Sequence, residues 1–196
     1  DSRRAHQGRA TASLISRDRP PVRGLPDHVQ RRRVSVDPPR DGFGVPGAWR
    51  DFGTQLHLLA AYTALLRVTP EAGDLRARVE SLVDLLLGPF WSQPGCVHAA
   101  LDTDGRPVPN RVSFGHAVEA AALLLEAAET LGRPRDPRVV AAAERLVDYA
   151  LRWGFDAGNG AWGTWASGVL ARPRDRAMGF WVPFEAMHAI GRLYLV

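Results

Sequence analysis

Lysine is absent from this 196-residue chain, and all 25 of its basic residues are arginine. Cysteine occurs once, as Cys96. That excludes an internal disulfide framework and a cysteine-rich metal site, and makes a reducing cytoplasm the expected compartment. No apolar run approaches the ~18 residues needed to span a bilayer, so no membrane partner is expected. No charged-then-apolar leader with a small-residue cleavage site is present. The chain also lacks a metal-spaced histidine pair, a GxSxG elbow, a phosphate-cradling glycine loop and a catalytic-cysteine signature, so neither a metal nor a cofactor is expected. Its 15 prolines and 19 glycines are too few and too scattered for a collagen-like or low-complexity chain. With 45% hydrophobic and 23% charged residues, it reads as globular.

The net charge of +4 is unevenly spread. Residues 1–50 hold eleven Arg and five Asp, whereas the remainder is slightly acidic. A basic excess invites a nucleic-acid reading. Here it comes without aromatic-basic interleaving or helix-turn-helix spacing, so no nucleic acid is expected as a partner. Residues 1–48 follow neither a helical nor a strand period, and their apolar residues stand singly. Such a stretch buries too little to offset the entropy of ordering, and we expect an unstructured Arg/Pro-rich arm.

From about residue 49 the pattern is helical. Asp51 or Thr54 caps a first helix carrying Leu56, Leu59, Leu65 and Leu66. Asp74 opens a second through Leu75, Val79, Leu82 and Leu86, stopped by Gly88-Pro89. A loop with a short hairpin follows: Val97 to Leu101, a turn at Asp104-Gly105, then Val108. Ser113 caps a third, Ala/Leu-rich helix, Pro137 begins a fourth, and a fifth starts near Val182-Pro183, with Pro in its first turn. The loop-and-hairpin type recurs after Trp153, giving an internal repeat of about 65 residues. The resulting fold class is all-α: a stack of antiparallel helical hairpins with short β-hairpin loops, each burying its apolar face against its neighbours.

Short connections alternate helix direction. The first, third and fifth helices therefore point the same way and gather their N-termini on one face. His57, His116 with Glu119, and Glu185 come from three separate segments to that face. Each has an ordinary reading as well. His116 and Glu119, three apart on one helix face, can form a capping-box-like contact or a satisfied core histidine. Alternatively, His116 is a proton-transfer histidine oriented by a carboxylate, kept neutral by the helix N-terminus as a general base requires. His57 alone reads as a core histidine, Glu185 as a charge on the helix dipole, and Phe180 and Trp181 as core. Trp91, Trp153, Trp162 and Trp165 lie in the loops leading to this face, as packing anchors or sugar-stacking platforms. His6, His28, His98 and His188 stand without a constellation.

Four stretches carry a resemblance. Thr54-Gln55-Leu56-His57-Leu58-Leu59 and the turn Asp104-Gly105-Arg106-Pro107 are two. Ser113-Phe114-Gly115-His116-Ala117-Val118-Glu119 and Phe180-Trp181-Val182-Pro183-Phe184-Glu185-Ala186 are the others. In their order and spacing, residues 51–196 resemble the N-acylglucosamine 2-epimerase superfamily, which includes cellobiose 2-epimerases and mannose isomerases. The resemblance implies part of an (α/α)6 toroid and cofactor-independent proton transfer at C2 of an open-chain aldose through a cis-enediolate. It implies a small-molecule sugar partner: a hexose, an N-acetylhexosamine or a disaccharide. By position, His116 is an acid/base histidine supported by Glu119. His57 assists ring opening, Trp181 and Phe180 line the sugar subsite, and Glu185 holds hydroxyls or neighbouring side chains.

The departures are Gly53 where the family has Asn, Ala60 for an acidic residue, Ala117 for Asp, Ala122 for Trp, Phe180 for the first Trp and Pro183 for Gln. The family toroid has about twice as many helices, and its second acid/base histidine falls beyond Val196. The chain thus reads as a fragment truncated at its C-terminus. Its exposed apolar helix faces imply self-association, with a homo-oligomer as one form. An alternative is a non-catalytic remnant acting as a sugar-binding or assembly module. A third is a hydrolase using Glu119 and Glu185 as paired carboxylates.

Overall fold

The computed structural model of the chain describes residues 49–92, 95–108, 111–167 and 179–196. The arm expected over residues 1–48 lies outside them. The described elements run β1 (Arg50–Asp51), α1 (Phe52–Val68), α2 (Gly73–Leu87), β2 (Trp91–Ser92), β3 (Cys96–Val97), β4 (Ala100–Leu101) and β5 (Pro107–Val108). They continue β6 (Arg111–Ser113), α3 (Phe114–Thr130), α4 (Pro137–Gly154), β7 (Phe155–Asp156), β8 (Ala161–Trp162), β9 (Trp165–Ser167) and α5 (Val182–Tyr194). The fold is mostly helical, a partial helical toroid with short strands.

The caps explain where the helices start. The Asp51 carboxylate accepts from the Thr54 N–H at 3.0 Å, and the Ser113 hydroxyl accepts from the His116 N–H at 3.2 Å. Each satisfies one donor that the first turn leaves without an intrahelical acceptor. At α4, Asp136 accepts from the Arg138 N–H and Pro137 fills the first turn. α2 starts one residue earlier than expected, at Gly73, with no side-chain cap. Asp74 sits inside its first turn and acts there as a negative charge on the dipole.

α3 is the centre. Phe114, Ala117, Val118, Ala120, Ala121, Ala122, Leu124, Leu125, Ala127 and Ala128 are all buried along it. Its alanines let neighbouring helices approach closely, and it packs against α4, α5 and α1. Leu56, Leu59, Leu66, Leu75, Leu86, Phe90, Leu101 and Leu146 complete one continuous core. Along α5, by contrast, Phe184, Met187 and Ile190 are exposed on one side of the helix.

The loops are tied to one another. The expected strand Val97 to Leu101 is split in two. Cys96–Val97 pairs with Trp91–Ser92, and Ala100–Leu101 pairs with Pro107–Val108. The break falls where the backbone serves other partners: the His98 N–H donates to the Phe90 carbonyl, and the Ala99 carbonyl accepts from the Phe52 N–H. The Asp102 carboxylate accepts from the N–H groups of Asp104 and Arg106, and Gly105 (φ +80°) turns the chain in the left-handed region. β1 adds to this hairpin in the register Arg50↔Leu101, fixing the entry to α1. β6 pairs antiparallel with β9, Ser113 opposite Trp165, so the loop entering α3 is joined to the loop leaving α4.

Candidate active site

His116 is the third residue of α3, and its ring stands 5.6 Å from that of Trp181, centroid to centroid, tilted by 48°. Two glycines shape this spot. An ideal Cβ on Gly115 would fall 2.1 to 2.7 Å from the Trp181 indole, so the indole rests on bare backbone. An ideal Cβ on Gly53 would fall 3.3 Å from His116 Nε2 and 3.1 Å from Asp51 Oδ1. Position 53, a departure in the sequence, is thus where α1 backbone meets the imidazole. Burial, and then the neighbouring His57, pull His116 down to about 4, so the imidazole is neutral at pH 7. The helix N-terminus offers a reason for neutrality in the sequence; in the structure the larger cause is desolvation.

Glu119 follows on the next turn of α3, its side chain 16% exposed. His57 of α1, 70% exposed, brings Nε2 within 3.7 Å of Glu119 Oε1. Burial, reinforced by the charge of Glu185, pushes Glu119 up to about 7. Near neutrality the carboxyl is therefore present in both protonated and ionised forms and can give or take a proton.

The expected convergence of α1, α3 and α5 thus brings His57, His116, Glu119, Trp181 and Glu185 together. Phe180 is 83% exposed, outside the packing that holds Trp181. Among the loop tryptophans, Trp162 is buried in the core against Phe155, a packing anchor. Trp91 and Trp153 pack against the core from its edge, and the Arg152 guanidinium lies 5.3 Å over the Trp153 ring. The Trp165 side chain lies outside the described residues.

One reading of the sequence needs correction. His188 does have a constellation: its Nε2 lies 3.2 Å from Glu126 Oε1 and its Nδ1 3.9 Å from Glu185 Oε2. Glu126 and His188 belong to no motif; the signals in the sequence are the three-residue spacing of Glu185 and His188 on α5 and the two-turn spacing of Glu119 and Glu126 on α3. Among the described residues, no group of three or more His, Cys, Asp or Glu side chains gathers to hold a metal ion. No helix among them is long and apolar enough to cross a membrane.

Stacked helical hairpins with imidazoles and carboxyls at one end define a helical-toroid scaffold with a polar site at the N-termini of its alternate helices. The chain belongs to the N-acylglucosamine 2-epimerase (GlcNAc 2-epimerase) family, whose profile matches residues 48–196. Among solved structures it is similar to a sugar epimerase from a ruminal bacterium (TM-score 0.68, 19% identity, 85% of this chain and 42% of that one). It is also similar to a D-mannose isomerase (0.60, 16%, 74% and 37%). A cellobiose 2-epimerase from Bacillus thermoamylovorans is similar as well (0.57, 20%, 74% and 40%). The chain spans about two fifths of the length of these structures.

Proposed function

We propose that the chain carries one acid/base half of a sugar 2-epimerase or aldose-ketose isomerase. A hexose, N-acetylhexosamine or disaccharide opens to its aldehyde form near His57. Neutral His116 takes the proton from C2, and the electron pair moves into the carbon–carbon bond of a cis-enediolate. Proton return to the opposite face of C2 inverts that centre, whereas return to C1 gives the ketose. Glu119, with a carboxyl poised near neutrality, exchanges protons with the enediol oxygens, and Trp181 offers an apolar face to the ring. The second acid/base group of an inversion is assigned, through the family resemblance, to the part of the toroid this chain does not span.

The observation that carries this reading is the buried, neutral His116 imidazole on Trp181, one helical turn from a carboxyl raised to about 7. Abstraction α to a carbonyl near pH 7 requires a neutral base and polar groups around the developing oxyanion. The test is C2 proton exchange. The longest reading frame encoding the chain is incubated with mannose, glucose, cellobiose or N-acetylmannosamine in deuterated water and followed by NMR. Exchange with at least one sugar, lost in His116→Ala, is the expected result; no exchange with any of them rejects the reading.

A second reading, a non-catalytic sugar-binding or assembly module, draws on the exposed apolar residues Phe184, Met187 and Ile190 of α5. Saturable sugar binding or self-association without C2 exchange would favour it.

A further inference from the structure

A line of charge leaves the candidate site along α3. Glu119 and Glu126 are two helical turns apart on the same face, with α1 on one side and α5 on the other. Each oxygen of Glu126 meets a different helix. Arg67 of α1 places Nη2 3.5 Å from Oε2, and His188 of α5 places Nε2 3.2 Å from Oε1. Arg67 is itself steadied, because its Nε donates to Thr130 Oγ1 at 3.1 Å, and that hydroxyl donates to the Glu126 carbonyl. The other nitrogen of His188 faces Glu185, three residues earlier on α5 and 3.9 Å away. Glu185 is the carboxylate whose charge acts on Glu119.

His188 therefore stands between an anchored carboxylate and a carboxylate of the site. A glutamate in the first turn of a helix, a third exposed, has several side-chain rotamers open to it unless something holds it. We propose that His188 is a positioning residue for Glu185: braced on Glu126, which Arg67 grips from α1, it holds the Glu185 carboxylate beside Glu119. The inference deepens the epimerase reading of the Glu119 and Glu185 site and rests on it for its catalytic meaning. Its physical content is that His188 acts on Glu119 only through Glu185.

A double-mutant cycle read at Glu119 tests that content without needing turnover. The Glu119 side-chain carboxyl is followed by 13C NMR across pH in the full chain, its resonance assigned with Glu119→Gln. His188→Leu is made in the wild-type and in the Glu185→Gln background. In the wild-type background it is expected to lower the Glu119 titration midpoint by about half a pH unit or more, because Glu185 is released from beside it; a rise would overturn the proposal. In the Glu185→Gln background it is expected to leave the midpoint within about 0.1 unit. Arg192→Ala, which breaks another α5–α3 ion pair, Arg192–Glu129, is the control and is expected to leave Glu119 in place. An equal shift in both backgrounds, no shift in either, or a shift of the same size from Arg192→Ala would overturn the proposal, leaving His188 a helix-docking residue. His188→Gln repeats the cycle should the leucine variant fail to unfold cooperatively. The same samples are assayed for C2 exchange. A cycle that closes through Glu185 in a chain that exchanges no sugar proton would keep the positioning role and reject the epimerase.

Discussion

Trp181 lies directly on Gly115: the indole fills the space that a side chain at position 115 would need, with Cη2 2.1 Å from an ideal Cβ there. Gly115 is the second residue of α3 and Trp181 the residue before α5, so this contact sets how the two helices meet beside His116. Gly115→Ala must displace the indole. We expect a loss of about 1–3 kcal/mol, as for overpacking of a filled core, even though alanine is the better helix former. Tryptophan fluorescence should shift with it. Chemical denaturation and emission spectra check both, and unchanged emission would mean that the indole has room to spare.

Opposite pH slopes are built into α3. His116, pulled down to about 4, is less protonated in the folded than in the unfolded chain between about pH 4 and 6.5, so its contribution makes stability rise with pH across that window. Glu119, pushed up to about 7, is more protonated in the folded chain between about pH 4.5 and 7, so its contribution makes stability fall there. Each amounts to roughly 3 kcal/mol, and the two largely offset between pH 5 and 6.5. Single variants should separate them. Denaturation of His116→Asn is expected to show stability falling from pH 5 to 7, and Glu119→Gln to show it rising from pH 4 to 6.5 and then levelling. Flat profiles in both variants would contradict the two shifts.

The same values set an activity profile. C2 exchange is expected to rise as pH passes about 4, where His116 loses its proton, and to bend near pH 7, where Glu119 loses its own. Glu119→Gln should remove the upper bend, and His116→Ala should lower the exchange rate by about a hundredfold or more. Initial rates by NMR at a fixed sugar concentration well below saturation provide the measurement, because kcat/KM follows the titration of the free protein.

Loss of a cap should act locally. Ser113→Ala removes the acceptor for the His116 N–H and is expected to cost about 1 kcal/mol. Because that N–H belongs to the candidate base, amide hydrogen exchange at His116 should accelerate more than at Ala127, three turns further along the same buried helix.

The helices were legible, and so were the starts that leave a local trace; α2, which begins at Gly73 without a side-chain cap, is the exception. Asp51, Ser113 and Pro137 stand just before or at the start of an apolar period, and the structure uses all three as helix starts. The meeting of His57, His116, Glu119 and Glu185 followed from direction alone, since alternate helices of a hairpin stack share an end. His188 was only half legible: its spacing of three from Glu185 can be read on α5, but its partner Glu126 lies on another helix 62 residues away, and neither of those two has a spacing that signals the other. The demands on Gly115 and Gly53 were hidden for a similar reason, because what crowds them is a side chain from a different helix. The pairing of β6 with β9 escaped because three residues of loop carry no alternation to read.

That pairing has a mechanical outcome. Ser113, which starts the helix bearing His116, sits opposite Trp165 on the strand that follows the second hairpin. The rims of two successive repeats are thereby stitched into a single collar. A residue inserted between Trp162 and Trp165 is therefore expected to shift the backbone at Ser113, and with it the start of the helix that bears His116.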